Sequence, residues 1–201
     1  MTKGCVNSGM NTNDVIEFFD RCAPWWDDDM IRNESAISQI LDYAGIRAGI
    51  DVLDVACGTG VLFPDYISRG VTALTGIDIS PEMSRIAQSK FPNVNVICAD
   101  VTTVKFTKKY DAIVVYNAFP HFVNPQKLIK HLVNTLNPGG RLTIAHGMSK
   151  ETINLLHHGA ASKVSVELMH EDSLAELMSS YLNVDVKISD SEKYIVSGTL
   201  S

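Results

Sequence analysis

Short apolar runs and helical patterns alternate along most of the chain. From Asp51 onward, runs rich in β-branched residues predict strands over 51–55, 73–78, 95–99, 112–116 and 141–146. Between these runs, apolar residues at helical spacing predict helices that begin near Gly60, Pro81 and Pro125. Strands that alternate with helices are typical of crossover units on a parallel sheet. The pattern therefore predicts an α/β fold.

Local signals set some of the helix boundaries. Ser80 is a suitable N-cap, because proline follows it at the first helical position. Leu128, Leu132 and Leu136 share one helical face, which predicts a single helix that contains all three. The Asn-Pro-Gly-Gly stretch over 137–140 is expected to end that helix and to turn the chain into the next strand.

The two ends of the chain differ from this alternation. After a predicted helix over 173–181, the segments 184–189 and 194–200 predict an antiparallel hairpin at the edge of the sheet. Before Asp51, helices are predicted over 14–21 and 34–44, and we expect them to cover the carboxyl ends of the strands. We predict one domain, with a flexible leader over 1–13, a helical cap over 14–46 and a core over 47–201.

Composition and charge narrow the classes of function. The 201 residues are 45% hydrophobic and 20% charged, which is ordinary for one globular domain. The net charge of -6 disfavours nucleic acid as a partner, since binding phosphates needs clustered Lys and Arg. Cys5, Cys22, Cys57 and Cys98 form no C-x-x-C pair, which favours a reducing compartment. Without a signal peptide or membrane-spanning run, a cytoplasmic protein with no membrane partner is expected.

A glycine-rich turn follows the first predicted strand, in the sequence DVACGTG. Such a turn offers backbone N–H groups and allows a ligand to approach the main chain closely. A dinucleotide fingerprint needs a third glycine, but Phe63 stands three residues after Gly60. A P-loop would need a lysine after the turn, and none is present. The turn therefore favours a cofactor without phosphates.

Two aspartates follow the next two strands. Asp78 ends the second predicted strand about twenty residues after the turn, where a carboxylate can accept hydrogen bonds from both ribose hydroxyls. Asp100 follows the third strand, where it can accept from the amine of an adenine while the Val101 N–H donates to a ring nitrogen. Ligands of open α/β sheets bind at these carboxyl ends. The turn and the two acids together predict a nucleoside site.

These residues resemble the class I S-adenosylmethionine-dependent methyltransferases over most of the chain. VLDVACGTG is similar to their first motif, Asp78 to their ribose acid, CADV to their adenine motif and LNPGGRLTI to the turn into their fifth strand. FFDRCAPWWDD is similar to the F-D-x-x-A-x-x-Y-D opening of a subgroup near the quinone-biosynthesis C-methyltransferases, with Trp26 in place of tyrosine. The resemblance implies a Rossmann-like, seven-stranded, mostly parallel sheet with helices on both faces and an antiparallel last strand. It also implies S-adenosylmethionine as the cofactor.

The resemblance further implies which residues surround that cofactor: Asp54, Gly58, Gly60, Asp78, Asp100 and Asn117. Neighbours in the same motifs complete the predicted set: Trp26, Ala56, Cys57, Thr59, Ile79 and Val101. Ala56 departs from the family, which often has glycine there. Cys57 is either a reactive thiol near the methyl donor or a small residue tolerated in a tight turn. The acidic run 27–29 is a solvated stretch, a helix cap or an attraction for a cationic acceptor.

Methyl transfer is an in-line displacement that depends mainly on positioning, and a base is needed when the acceptor arrives protonated. His121 follows the fourth strand and is the predicted catalytic residue, either as general base or as acceptor contact; a structural role is the alternative. For His146 we favour a hydrogen bond to a neighbouring carbonyl. His157 is expected to point inward on a helical face shared with Ile153, Leu156, Ala160 and Val164. A metal held by the three histidines is an open alternative, but without a close-spaced histidine motif none is predicted.

The sequence thus predicts methyl transfer to a small-molecule acceptor whose identity it does not encode. Two other functions remain open. An NAD-dependent oxidoreductase is disfavoured by Phe63 and Asp100. A non-catalytic, methyltransferase-like protein that binds the cofactor or a metal is favoured by the lack of an obvious acid or base signature. The oligomeric state, monomer or homodimer, is also left open.

Overall fold

A computed structural model of the protein describes residues 10–28, 30–158 and 161–201. Most of the predicted leader, Asp29 of the acidic run and Ala160 of the predicted helical face therefore lie outside the described residues. The first described helix, α1, spans Thr12–Cys22 and so begins inside the segment predicted as leader. The Asn11 side chain accepts a hydrogen bond from the Asp14 N–H and caps this helix.

The described residues form one seven-stranded sheet with the order β3-β2-β1-β4-β5-β7-β6. The strands are β1 Asp51–Val55, β2 Ala73–Asp78, β3 Asn95–Cys98, β4 Tyr110–Tyr116, β5 Leu136–His146, β6 Asn183–Ser189 and β7 Tyr194–Thr199. Strands β1 to β5 pair in parallel, whereas β7 is antiparallel to both β5 and β6. The predicted fold class is confirmed. Strand order reverses between β1 and β4, where ligands of open α/β sheets bind.

The described residues also form six further α-helices, of which the first precedes β1: α2 Glu34–Tyr43, α3 Phe63–Ser68, α4 Pro81–Lys90, α5 Pro125–Val133, α6 Lys150–His157 and α7 Glu171–Ser179. The predicted start of α4 is confirmed, because the Ser80 hydroxyl accepts the Met83 N–H at 3.1 Å. Helix α3 starts at Phe63 rather than near Gly60, since Gly60 has a φ of 83° that no right-handed helix contains. None of the described helices is long and apolar enough to cross a bilayer.

The predicted end of α5 is wrong. The helix ends at Val133, and Leu136 already belongs to β5, where it pairs with Tyr110. The stretch 137–140 is an irregular part of β5, with a φ of 74° at Gly139 and a register shift against β4. Leucine spacing continues from the helix into the strand, so the apolar pattern alone does not mark the boundary.

Side chains of the central strands alternate between two apolar layers, one on each face of the sheet. Leu53 and Val55 pack on the side covered by α5 and α7, whereas Val52 packs on the side of α2, α3 and α4. Helix α2 therefore lies on a face of the sheet, with its Ile40 against β5 and β7. Its expected position over the strand ends is wrong. Helix α1 lies near those ends, because Val15 belongs to a cluster that includes Ile79 after β2.

Candidate functional site

A cavity of about 330 Å³ opens at the carboxyl ends of β1, β2 and β4. Most of the predicted site residues line it: Trp26, Asp54, Ala56, Cys57, Gly58, Asp78, Ile79, Asp100, Val101, Asn117 and His121. Thr59 and Gly60 are not among its lining residues. Phe19, Met30 and Tyr116, which were not predicted, add apolar surface. The structure thus brings the sequence motifs together at the point where the strand order reverses.

The glycine turn has an unusual backbone. Gly58 and Gly60 have φ values of 54° and 83°, and Ala56 has a φ of 54°. A left-handed conformation costs an L-residue about 1–2 kcal/mol, which accounts for the glycine that the resembled motif often has at the position of Ala56. A Cβ on Gly60 would lie 2.8 Å from the Phe63 ring, so only glycine fits there. Positive φ therefore accounts for glycine at positions 58 and 60, and contact with Phe63 is a second reason for Gly60.

N–H groups of this turn donate hydrogen bonds to acceptors within the protein. Gly58 N–H donates to Asp78 Oδ2 at 2.8 Å, and Gly60 N–H donates to the Cys57 carbonyl at 3.0 Å. Cys57 N–H donates to the Ile77 carbonyl at 3.1 Å. A phosphate at this turn would have to displace these partners, which agrees with the prediction of a cofactor without phosphates.

Asp78 is held from two sides. Its Oδ1 accepts the Ser80 N–H at 2.9 Å, and its Oδ2 accepts the Gly58 N–H at 2.8 Å. Burial raises the pKa of the Asp78 carboxyl, while these backbone hydrogen bonds lower it. A carboxylate offers about four lone-pair positions, so both oxygens keep the capacity to accept from a ligand that enters the cavity.

Asp54 lies at the end of β1 and is fully buried beside the cavity. Burial raises the pKa of its carboxyl well above the usual value, and the negative charge of Asp78 raises it further. Two acids that repel each other beside one cavity favour a cationic ligand, because a positive charge would lower both pKa values.

Asp100 and Asn117 lie in the loops after β3 and β4. Asp100 Oδ1 accepts the Thr102 N–H at 2.8 Å, which fixes its side chain in a local turn. Asn117 has a φ of 53°, and its Oδ1 accepts the Gly147 N–H at 3.0 Å. Asparagine tolerates the left-handed region better than most residues. Each loop is therefore locked by its own polar side chain next to the cavity.

The cap contributes aromatic side chains and two acids. The Trp26 ring lies 5.7 Å from the Phe19 ring, and Trp26 Nε1 lies 3.7 Å from where a Cβ on Gly58 would be. Asp27 accepts a hydrogen bond from the Thr59 hydroxyl at 2.6 Å and pairs with Lys90 at 2.6 Å. Asp27 is thus exposed, as expected of a solvated run, but its carboxylate also makes specific contacts with the glycine turn and α4.

Sequence reasoning missed Asp20, whose Oδ1 accepts from the Ser80 hydroxyl at 2.5 Å and from the Glu82 N–H at 3.1 Å. The acid of the F-D pair that opens the quoted FFDRCAPWWDD stretch is this residue. Its place in that stretch was the available signal, but its partners lie 60 and 62 residues away in the chain.

His121 lines the cavity with a fixed tautomer. Its Nδ1 lies 2.8 Å from the Val164 carbonyl oxygen, which can only accept, so Nδ1 carries the proton and Nε2 keeps a lone pair. Burial lowers the pKa of His121 to about 4. Its ring lies 4.9 Å from Phe19 and 5.1 Å from His157. His121 is therefore neutral near pH 7.

His146 differs from expectation, whereas the His157 ring lies beside His121, as its predicted inward position implies. His146 is fully buried, and neither ring nitrogen has a hydrogen-bond partner among the described residues, so the expected bond to a carbonyl is absent there. His157 is half-buried, but Leu156 of the predicted inward face is 55% exposed. Within ranges 10–28, 30–158 and 161–201, no three His, Cys, Asp or Glu side chains are grouped as a metal site.

The structure also separates the two interpretations of Cys57. Its side chain is buried, and burial together with the nearby Asp54 and Asp78 raises the pKa of the thiol well above its usual value. A thiolate is therefore disfavoured at this position, since nucleophilic cysteines need a lowered pKa. The geometry favours a small residue that fills the turn.

Comparisons with known proteins agree with this site. The family described as a methyltransferase domain matches residues 52–140, which hold the glycine turn, Asp78, Asp100 and Asn117. A demethylmenaquinone methyltransferase of Paenarthrobacter aurescens is 28% identical over 141 residues, which cover 66% of this chain and 54% of that protein. The chain thus spans about half the length of this curated relative.

Two solved structures share the fold. One is the N-methyltransferase NodS from Bradyrhizobium japonicum in complex with S-adenosyl-L-homocysteine. Its TM-score is 0.73 at 16% identity, and the aligned region covers 92% of this chain and 98% of NodS. The [4+2]-cyclase SpnF has a TM-score of 0.70 at 16% identity over 89% of this chain and 77% of its own. Residues 52–140 of this chain thus match a methyltransferase domain, and the chain has the fold of these two solved structures.

Proposed function

We propose that the chain binds S-adenosylmethionine in the cavity at the strand ends and transfers its methyl group to a small-molecule acceptor. The observation that carries the proposal is the Asp78 carboxylate, which two backbone N–H groups hold at the cavity wall. Asp100 lies beside the same cavity one strand further along. Two acids from successive strands suit a nucleoside, which presents ribose hydroxyls and a base amine to accept from.

The residues present fit this cofactor. Asp78 has lone pairs left for the ribose hydroxyls, and Asp100 has an oxygen that Thr102 does not use. Asp54 suits the positively charged methionine portion, because a cation relieves the cost of its buried carboxylate. Gly58 carries no Cβ where the ligand would approach the main chain, and Trp26 lies above it.

The protein's part in the reaction is mainly to position the reactants. The bound cofactor supplies a methyl group on a sulfonium, and the aromatic face of Trp26 can stabilise that positive charge. Holding donor and acceptor in line at contact distance can lower the activation free energy by about 7–11 kcal/mol. Phe19, Met30 and Tyr116 exclude water from the cavity and favour an acceptor with an apolar body.

His121 is the residue we assign to the acceptor's proton. Its Nε2 lone pair is available as long as Nδ1–H donates to the Val164 carbonyl. A base with a pKa of about 4 is weak. A hydroxyl acceptor, however, becomes strongly acidic as the new bond forms, so a weak base suffices late in the transfer.

A fold does not by itself decide a reaction. The similar structure that is described as a [4+2]-cyclase illustrates this point. Two measurements test the proposal. S-adenosylhomocysteine should raise the melting temperature while NADH does not, and methyl transfer should release S-adenosylhomocysteine from S-adenosylmethionine with a panel of small acceptors. Binding without turnover across the panel would favour the non-catalytic alternative, and no binding would refute the proposed function.

A further inference from the structure

Two carboxylates attach the segment 12–28 to the framework around the cavity. Asp20 accepts from Ser80 and Glu82 at the beginning of α4, directly after Asp78. Asp27 accepts from Thr59 in the glycine turn and pairs with Lys90 at the end of α4. The segment is therefore fastened at two separate points, one on each loop that borders the proposed cofactor.

The aromatic residues that directly precede these two acids reach the cavity. Phe19 and Trp26 line it, and their rings contact each other edge to face at 5.7 Å. Both α1 and the short 3-10 helix Ala23–Trp25 pack against α4. A ligand that occupies the cavity would thus lie against this segment.

We propose that Asp20 and Asp27 are positioning residues that hold Phe19 and Trp26 over the cavity and so slow the release of the cofactor. This inference rests on the proposed function. It assigns a role to two of the three acids of the FFDRCAPWWDD stretch.

The contacts do not contribute equally. Thr59 and Ser80 are fully buried, so the hydroxyls that donate to Asp27 and Asp20 are shielded from water while these contacts are made. The Asp27–Lys90 pair is 44% and 37% exposed, and exposed ion pairs contribute little. The two hydroxyl contacts therefore carry the attachment, and the lysine contributes little to it.

The chain offers a direct optical reporter for the test. It contains two tryptophans, Trp25 and Trp26, and Trp25 is 66% exposed. In a Trp25→Phe background, fluorescence reports on Trp26 alone. Release of S-adenosylhomocysteine is measured by stopped-flow displacement with excess S-adenosylmethionine. The melting temperature of the ligand-free protein is recorded for each variant.

Three changes separate the contacts in that background. Thr59→Val removes the hydroxyl at nearly constant side-chain shape, and Lys90→Gln removes only the ion pair. Asp27→Ala removes the carboxylate and with it the contacts to both Thr59 and Lys90. Asp28→Asn is the matched control, because Asp28 is exposed and its side chain has no hydrogen bond among the described residues. Asp20→Ala tests the second attachment.

We expect release to accelerate about tenfold or more in Thr59→Val, Asp27→Ala and Asp20→Ala, and less than about threefold in Lys90→Gln and the control. The double variant Thr59→Val with Asp27→Ala should be no faster than the faster single variant, since both remove one bond. Lower melting temperatures with unchanged release rates would overturn the proposal and leave a structural role. If the parent protein does not bind S-adenosylhomocysteine, the proposed function itself is refuted.

Discussion

Replacement of Asp78 by alanine tests the proposed ribose contact. The carboxylate can accept from two ribose hydroxyls, and a hydrogen bond to a charged group contributes about 1.5–3 kcal/mol. Loss of one such bond corresponds to about a 10- to 100-fold rise in the dissociation constant, and loss of both to more. We therefore expect S-adenosylhomocysteine to bind Asp78→Ala at least about tenfold more weakly in isothermal titration calorimetry.

The same change also affects stability, for a separate reason. It leaves the N–H groups of Gly58 and Ser80 without their acceptor, which costs about 1–3 kcal/mol for each group that water does not reach. Removal of a buried carboxylate with a raised pKa offsets part of this cost. We expect a net loss of about 1–3 kcal/mol in the free energy of unfolding. Each kcal/mol lost should lower the melting temperature by about 2–4 °C.

Asp111→Ala is the matched control for this measurement. Asp111 also accepts a backbone N–H, that of Asp51 at 2.9 Å, and a side-chain amide of Asn137 at 2.7 Å. These contacts lie at the amino end of β1, away from the cavity, so the control should lose stability and keep its affinity. If Asp78→Ala binds as tightly as the parent, or if Asp111→Ala weakens binding equally, the assignment of the ribose to Asp78 is refuted.

Three further changes test the buried ionisable groups. The folded-state pKa of Asp54 is raised, so the charge of this carboxyl costs stability above that pKa. Asp54→Asn should therefore stabilise the ligand-free protein at neutral pH in urea titrations. The gain in stability should shrink on acidification. The pKa of His146 is lowered to about 3, so stability is lost as the pH falls below about 6.5, at up to about 1.4 kcal/mol per pH unit. His146→Leu should flatten this dependence. If the variant and the parent lose stability in parallel as the pH falls, the lowered pKa is not that of His146. His121→Gln should lower kcat by about 100-fold or more while S-adenosylhomocysteine affinity changes less than about threefold, whereas unchanged kcat would show that His121 is structural.

Local patterns accounted for the centre of the sheet and for the glycine turn. Strands β1 and β2 have the predicted bounds, because short β-branched runs between turn residues admit few other structures. The helix start at Ser80 followed from the same kind of local signal. The end of α5 did not, since Leu136 continues a helical spacing although it pairs with Tyr110 in the sheet. Pairing between distant segments overrides a local pattern there.

The parts of the site that sequence reasoning missed depend on contacts between distant segments. Asp27 meets Thr59, and Asp20 meets Ser80, only because the cap lies across two loops. An aspartate in a polar stretch has the same local pattern whether it is solvated or bound. The unpartnered nitrogens of His146 are likewise a result of packing, which a strand-end position does not reveal.

The internal hydrogen bonds of the glycine turn favour a nucleoside cofactor over a dinucleotide in this protein. A dinucleotide site needs free N–H groups at the turn for the pyrophosphate, but Gly58 N–H is committed to Asp78 and Gly60 N–H to the Cys57 carbonyl. The Asp54 carboxylate just before the turn would also repel a phosphate. A cofactor whose tail carries a positive charge meets neither obstacle, because the acids that exclude a phosphate attract a cation. Under the proposed function, Asp78 would both accept from the ribose and hold the Gly58 N–H, so changing the glycines alone would not convert this turn into a pyrophosphate site.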